Sequence, residues 1–147
     1  MSNQQDLFMR MLDWTSQGYA CSQILLMLGM EVSGEENSAL VRTMAGLNEG
    51  MYGSGRLCGC LTGGSCLLGY FSGKGLEEDE AEHPAFRKMV ADYSAWFEET
   101  WGGQYGGINC DDILEDNRAN QMTRCPEIVQ SSFEKCLELL EENECLG

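Results

Sequence analysis

Cys58-Gly59-Cys60-Leu61-Thr62-Gly63-Gly64-Ser65-Cys66-Leu67-Leu68-Gly69-Tyr70-Phe71 sets the architecture of this chain. It reads as a buried helix. Each internal glycine costs a helix up to ~1 kcal/mol relative to alanine, so these glycines are expected to serve close packing. A neighbouring helix or a bound group could be what they pack against.

Working outward, the residues before Cys58 carry Gly46, Gly50, Gly53 and Gly55 and read as a loop up to Leu57. Upstream, Leu7, Phe8, Met11, Leu12 and Trp14 form a helical stripe that Gly18 stops. A second helix is expected from Ala20 to Met30. Asn37 or Ser38 can cap a third, through Leu40, Val41, Met44 and Leu47. Downstream, Lys74 to His83 reads as an acidic linker, and Pro84 suits the first turn of an amphipathic helix from Ala85 to Trp101. Gly102 to Gly107 reads as a loop, a short helix begins around Cys110, and a last helix is expected from Cys125-Pro126 onward. No segment alternates as a strand would. The predicted fold class is all-α: a compact single domain over residues 1–147, a bundle of roughly five main helices with a glycine-rich loop.

Composition narrows the function. The 147 residues are 43% hydrophobic, enough to bury a core. The longest apolar run, Ile24 to Leu28, falls far short of the ~20 residues of a spanning helix. The first residues show no basic segment followed by an apolar stretch, so a cytoplasmic location is expected. Acidic residues number 24 against 9 basic, a formal charge of −15. Such a surface repels phosphate backbones and anionic lipid, so neither nucleic acid nor membrane is an expected partner. A redox protein with a basic surface is compatible with it, and so is charge that serves solubility alone. The oligomeric state is not legible.

Eight cysteines are the unusual number. Without an export signal, metal binding, cluster binding or thiol redox chemistry are better readings than structural disulfides. Four share one setting: Cys21, Cys58, Cys110 and Cys125 each stand at an expected helix start. Free N–H groups and the helix dipole there stabilise a thiolate, and the same donors can bond the sulfurs of an iron–sulfur cluster. No C-x-x-C occurs, and the single histidine, His83, reads as a solvated linker residue. Zinc knuckles and ferredoxin-type runs are therefore absent.

At these residues the chain resembles a family of redox-active proteins named for its cysteine pattern, C_GCAxxG_C_C. Gly18-Tyr19-Ala20-Cys21-Ser22-Gln23 is similar to the first element. Gly50-Met51 with Cys58-Gly59-Cys60-Leu61-Thr62-Gly63 is similar to the glycine loop and the central C-G-A-x-x-G segment. Tyr105-Gly106-Gly107-Ile108-Asn109-Cys110 resembles the third element, and Cys125-Pro126-Glu127-Ile128-Val129 the fourth. The resemblance spans about Gly18 to Glu138. It implies a helical domain with a redox role, iron–sulfur binding foremost. Two departures stand out: Cys60 replaces the motif's alanine, and Asn48-Glu49 break the glycine run before Gly50.

The leading expectation is an electron-transfer or redox-sensing protein rather than an enzyme. Cys21, Cys58, Cys110 and Cys125 would bind one iron–sulfur cluster, [2Fe–2S] in preference to [4Fe–4S]. A metal-free thiol–disulfide protein is the alternative, and a structural or partner-binding helical bundle the third. Cys60 is an alternative ligand or thiol partner. On an ideal helix positions 58 and 60 diverge by about 200°, so joint use of both needs a non-helical first turn. Cys66 and Cys136 are expected in the core, and Cys145 in a frayed, exposed end. The charge of Arg56 could act on the centre or simply face solvent. The methionines at 9, 11, 27, 30, 44 and 51 read as core filler. Gly53-Ser54-Gly55-Arg56 lacks the endings that bind nucleotide phosphates.

Overall fold

The computed structural model describes residues 2–146. Seven helices account for it: α1 (Ser2–Ser16), α2 (Cys21–Ser33), α3 (Ser38–Met44), α4 (Gly59–Ser72), α5 (Phe86–Phe97), α6 (Cys110–Leu114) and α7 (Gln121–Glu142). The class is all-α as expected. Seven helices stand against roughly five main ones expected, and the two in excess, α3 and α6, are the short helices that the Asn37 cap and the Cys110 start already marked. Among the described residues no helix is long and apolar enough to cross a membrane.

The centre of the bundle is the pair α2 and α4, with α5 and α7 packed on α4. Helix α2 is buried nearly all round, Ser22 through Leu26 and Leu28 through Met30 being inaccessible. Its partner α4 approaches through its glycines. A β-carbon at Gly63 would stand 2.8 Å from the Ser22 Cα, and one at Gly59 would collide with the Cys21 sulfur. One turn round, Gly64 makes room for the ring of Tyr93. The expected close packing is therefore helix on helix. It costs intrinsic helicity, offset by burial of Leu67 and Leu68, each worth roughly 2 kcal/mol.

Helix α5 points Met89, Tyr93 and Phe97 inward, as its periodicity predicts. It does not stop at Trp101. A π-helical turn over Glu98–Gly102 carries it into Gly103–Tyr105, and left-handed Gly106 ends it. The turn keeps Trp101 in the core, its indole N–H donating to Ser131 Oγ at 3.2 Å. At the other end His83 is not simply solvated: its Nδ1 accepts the Ala85 N–H at 3.0 Å and helps start α5.

Helix α1 lies on the outside, with Met11 buried, Leu7 and Trp14 partly buried and Phe8 exposed. Three expectations about the core need correction. Cys66 is exposed, because α4 turns Leu67 and Leu68 inward and residues 65–66 away from its neighbours. Met9 and Met51 are also exposed. Cys145 is half-buried against the core rather than frayed, since its N–H bonds the Leu140 carbonyl at 2.8 Å. Cys136 is fully buried as expected.

Candidate functional site

Three backbone devices bring distant cysteines together. The first is an isolated antiparallel bridge between Leu57 and Asn109. Its flanking bonds run from the Cys58 N–H to the Ile108 carbonyl (2.9 Å) and from the Cys110 N–H to the Arg56 carbonyl (2.6 Å). Cys58 and Cys110 are thereby held side by side, each at the start of its own helix. Arg56 contributes through this backbone; its side chain is exposed and takes no part in lining the centre.

The second device is the α2–α4 contact, which sets Cys21, first residue of α2, against Gly59. The third is the loop between α3 and α4, where Glu49, Gly50, Met51, Tyr52, Gly53 and Gly55 all take left-handed backbone angles. Three of these are ordinary residues in a conformation that costs roughly 1–2 kcal/mol each. A buried polar chain fixes the loop's base. The Asn48 amide donates to Gln23 Oε1 (2.9 Å), the Ser22 hydroxyl bonds Asn48 and the Met44 carbonyl, and Gln23 Nε2 donates to the Val41 carbonyl (3.2 Å). At Gly50 a β-carbon would strike the backbone of Arg56, so only glycine fits. The outcome is that the Glu49 N–H faces the Cys21 sulfur, as does the N–H of Ser22.

These devices place Cys21, Cys58, Cys110 and Cys125 around one cavity, and Cys60 with them. The cavity is about 20 Å³, with Ile113, Leu114 and Ile128 among its walls. Cys58, Cys60 and Cys110 are buried; Cys21 and Cys125 are half-buried. Among the described residues no three or more His, Cys, Asp or Glu side chains stand close enough to hold a single metal ion.

Cys58 is the N-cap of α4, at φ −53° and ψ 133°, and its sulfur accepts the Cys60 N–H at 3.4 Å. The cap residue is thus non-helical, which is what lets Cys58 and Cys60 reach the same place. The Cys60 thiol is hydrogen-bonded to both Cys21 and Cys58. Its carbonyl accepts the Tyr93 hydroxyl at 2.6 Å. The sequence signal for Cys60 was its position two residues from a helix-start cysteine, and only the cap geometry made it decisive.

Cys125 does not open a helix. Helix α7 begins at Gln121, after a 3-10 turn over Arg118–Asn120 whose cap is Asn117, its Oδ1 taking the Ala119 N–H at 3.1 Å. The polar caps start the helix before the proline does, and Pro126 sits one turn inside, where it forfeits a single backbone bond. The shared helix-start setting therefore holds for three of the four cysteines.

Nor does a helix start lower every thiol. Cys21 is lowered to about 7, first by the hydrogen bond from Cys60, against burial, with the Ser22 and Glu49 amides helping. The same bond, a second to Cys58 and burial push Cys60 well up. Burial pushes Cys110 up to about 11, with the charges of Cys58 and Cys21 adding to it and Arg118 opposing. Burial drives Cys125 up strongly as well. At Cys110, a true helix start, desolvation outweighs the helix dipole. Cys21 is therefore readily ionised, while Cys60, Cys110 and Cys125 hold their protons.

Comparison with curated proteins and with solved structures finds no match. The comparison with protein families does: residues 19–139, which include all five cysteines around the cavity, match the family described as "Putative redox-active protein (C_GCAxxG_C_C)". The chain belongs to this C_GCAxxG_C_C family.

Proposed function

We propose that this protein is an electron carrier or redox sensor whose centre holds one iron–sulfur cluster through Cys21, Cys58, Cys110 and Cys125. The observation that carries the reading is the arrival of these four cysteines, from four separated segments, at one small enclosed cavity. Four thiols are the donor set of a common cluster type. Backbone N–H groups at the sulfurs of Cys21 and Cys58 supply the hydrogen bonds that stabilise thiolate and tune potential.

The donor chemistry fits such a group, and the volume sets a condition on it. A space of about 20 Å³ holds roughly one water. Binding therefore spreads the thiols and displaces Cys60 from between Cys21 and Cys58. The same tightness favours [2Fe–2S] over [4Fe–4S]. The chain's acidity suits a redox partner with a basic surface, and a reducing compartment such as the cytoplasm suits its many thiols.

A second reading has its own observation. The Cys60 thiol lies between those of Cys21 and Cys58, and Cys21 is lowered to about 7 while Cys60 is pushed well up. A metal-free protein would use the Cys21 thiolate to attack a disulfide and Cys60 to resolve the mixed disulfide.

Anaerobic purification without a metal-binding tag, then an absorption spectrum with iron and acid-labile sulfide analysis, separates the two. Brown protein with matched iron and sulfide, lost in Cys58→Ala, is the expected result. Colourless protein that stays empty after attempted reconstitution would overturn the cluster and leave the dithiol.

A further inference from the structure

A second, larger cavity opens beside the cysteine centre. It is about 350 Å³, within the range of small-molecule sites, and runs between α1, the start of α2 and the start of α7. Met11, Leu12, Ile24, Met122, Pro126 and Val129 make it largely apolar. Its wall shares Cys21, Cys125, Glu49 and Gln121 with the smaller cysteine cavity. Of the five central cysteines, the two it reaches are the two half-buried ones. The cleft thus borders the more accessible side of the centre.

We propose that this cleft is a substrate site and that it takes an uncharged, flat electron acceptor of the quinone class. The inference rests on the second, metal-free reading of the cysteine centre and names its substrate. Three features choose the class. Among the described residues no Lys, Arg or His lines the cleft and Glu49 is the only charged one that does, so nucleotides and other anionic carriers find no counter-charge there. The apolar walls suit an uncharged ring. Gln121 and Tyr19 are among its walls, and both carry side-chain donors of the kind a carbonyl oxygen accepts.

The reaction balances within the cysteine centre in its metal-free form. Cys21 and Cys60, which share the walls of the small cavity, lose their S–H bonds and form one S–S bond, giving up two electrons and two protons. The quinone takes both, one proton on each carbonyl oxygen, and leaves as the hydroquinone. An external thiol reductant returns the pair to the dithiol.

The test uses the reduced full-length protein without oxygen, and duroquinone, whose ring carbons are all methylated so that thiols cannot add to it. Hydroquinone formation is followed by absorbance, and the Cys21–Cys60 disulfide by mass spectrometry. Diamide, a small polar thiol oxidant, is the comparison. The expected result is saturable oxidation by duroquinone, with the duroquinone-to-diamide rate ratio falling at least tenfold in both Met122→Glu and Leu12→Trp. Cys66→Ser, remote from the cleft, leaves both rates unchanged. Oxidation by diamide with no reaction, or only non-saturating reaction, towards duroquinone overturns the quinone site and leaves the redox reading standing. An unchanged ratio in whichever cleft variant folds overturns it equally. Inertness of the wild-type thiols to both oxidants overturns the dithiol chemistry itself.

Discussion

The backbone of Gly63 lies against that of Ser22, so close that a β-carbon at position 63 would stand 2.8 Å from the Ser22 Cα. Both neighbours belong to the centre: Ser22 follows Cys21, and Gly63 is one helical turn beyond Gly59. Gly63→Ala gains up to ~1 kcal/mol in helix propensity. It loses about 1–3 kcal/mol to overpacking, because backbone cannot give way as a side chain can. Urea denaturation should show net destabilisation, and alkylation of Cys60 should be faster as α4 moves off α2.

Cys60→Ala restores the alanine of the family motif and removes the thiol that bonds Cys21 and Cys58. The hydrogen bond from Cys60 is the largest influence lowering Cys21. In metal-free protein the pH midpoint of Cys21 alkylation should therefore start near 7 and move upward in the variant. Under the cluster reading the same change enlarges the cavity, so iron per chain should hold or rise. A fall in iron would make Cys60 a ligand.

Asn48 is buried and links Gln23 and Ser22 of α2 to the left-handed loop. Asn48→Ala removes two buried hydrogen bonds, one to each partner, a loss of about 1–3 kcal/mol. It also frees the loop that aims the Glu49 N–H at Cys21. Thermal unfolding should register the first effect, and an upward shift of the Cys21 titration the second. A stable variant with unaltered Cys21 would mean that the loop holds its shape without the asparagine.

Tyr52 tests the cost of that loop directly. It is left-handed at φ +50°, and its side chain is 75% exposed, so it has little packing to lose. Tyr52→Gly should stabilise the protein by up to about 1 kcal/mol, read from the denaturant midpoint. Destabilisation instead would show that the side chain contributes contacts outweighing the backbone strain.

Much of this arrangement was legible in the sequence, and the failures share a cause. Helical periodicity marked α2, α4 and α5, and the glycines of α4 announced a close approach. The unusual cysteine count pointed to the centre. What misled was local punctuation read in isolation. Pro126 looks like a first-turn proline, but Asn117 caps the chain earlier and α7 is already under way. Cys66 lies in an apolar stretch, but only the packing of Leu67 and Leu68 sets the helix phase that leaves it outside. The bridge between Leu57 and Asn109 that pairs Cys58 with Cys110 is a long-range contact, and no local pattern encodes it. A helix start favours a thiolate, but burial is invisible until the fold is known: it wins at Cys110, and it raises Cys125, which has no helix start to oppose it.

Burial also makes stability depend on pH in a direction that can be checked outside the centre. Cys136 is fully buried, its thiol donating to the Gly64 carbonyl, and it is pushed up to about 12 from an ordinary 9.0. Above pH 9 the unfolded chain releases this proton while the folded chain keeps it. The unfolded state then binds fewer protons, and stability falls as pH rises. The contribution is complete below pH 9 and lost on approach to 12, amounting to about 2 kcal/mol by about pH 10.5. Cys110, pushed up to about 11, has the same sign. Cys21, lowered to about 7, has the opposite one: its contribution grows from 7 and is complete above 9. The thiol contribution of reduced, metal-free protein should therefore peak near pH 9. Cys136→Ala, though less stable throughout, should lose less between pH 9 and 10.5 than wild type does. Parallel urea midpoints for the two proteins over that interval would show that Cys136 ionises freely, and so that α4 and α7 open around it.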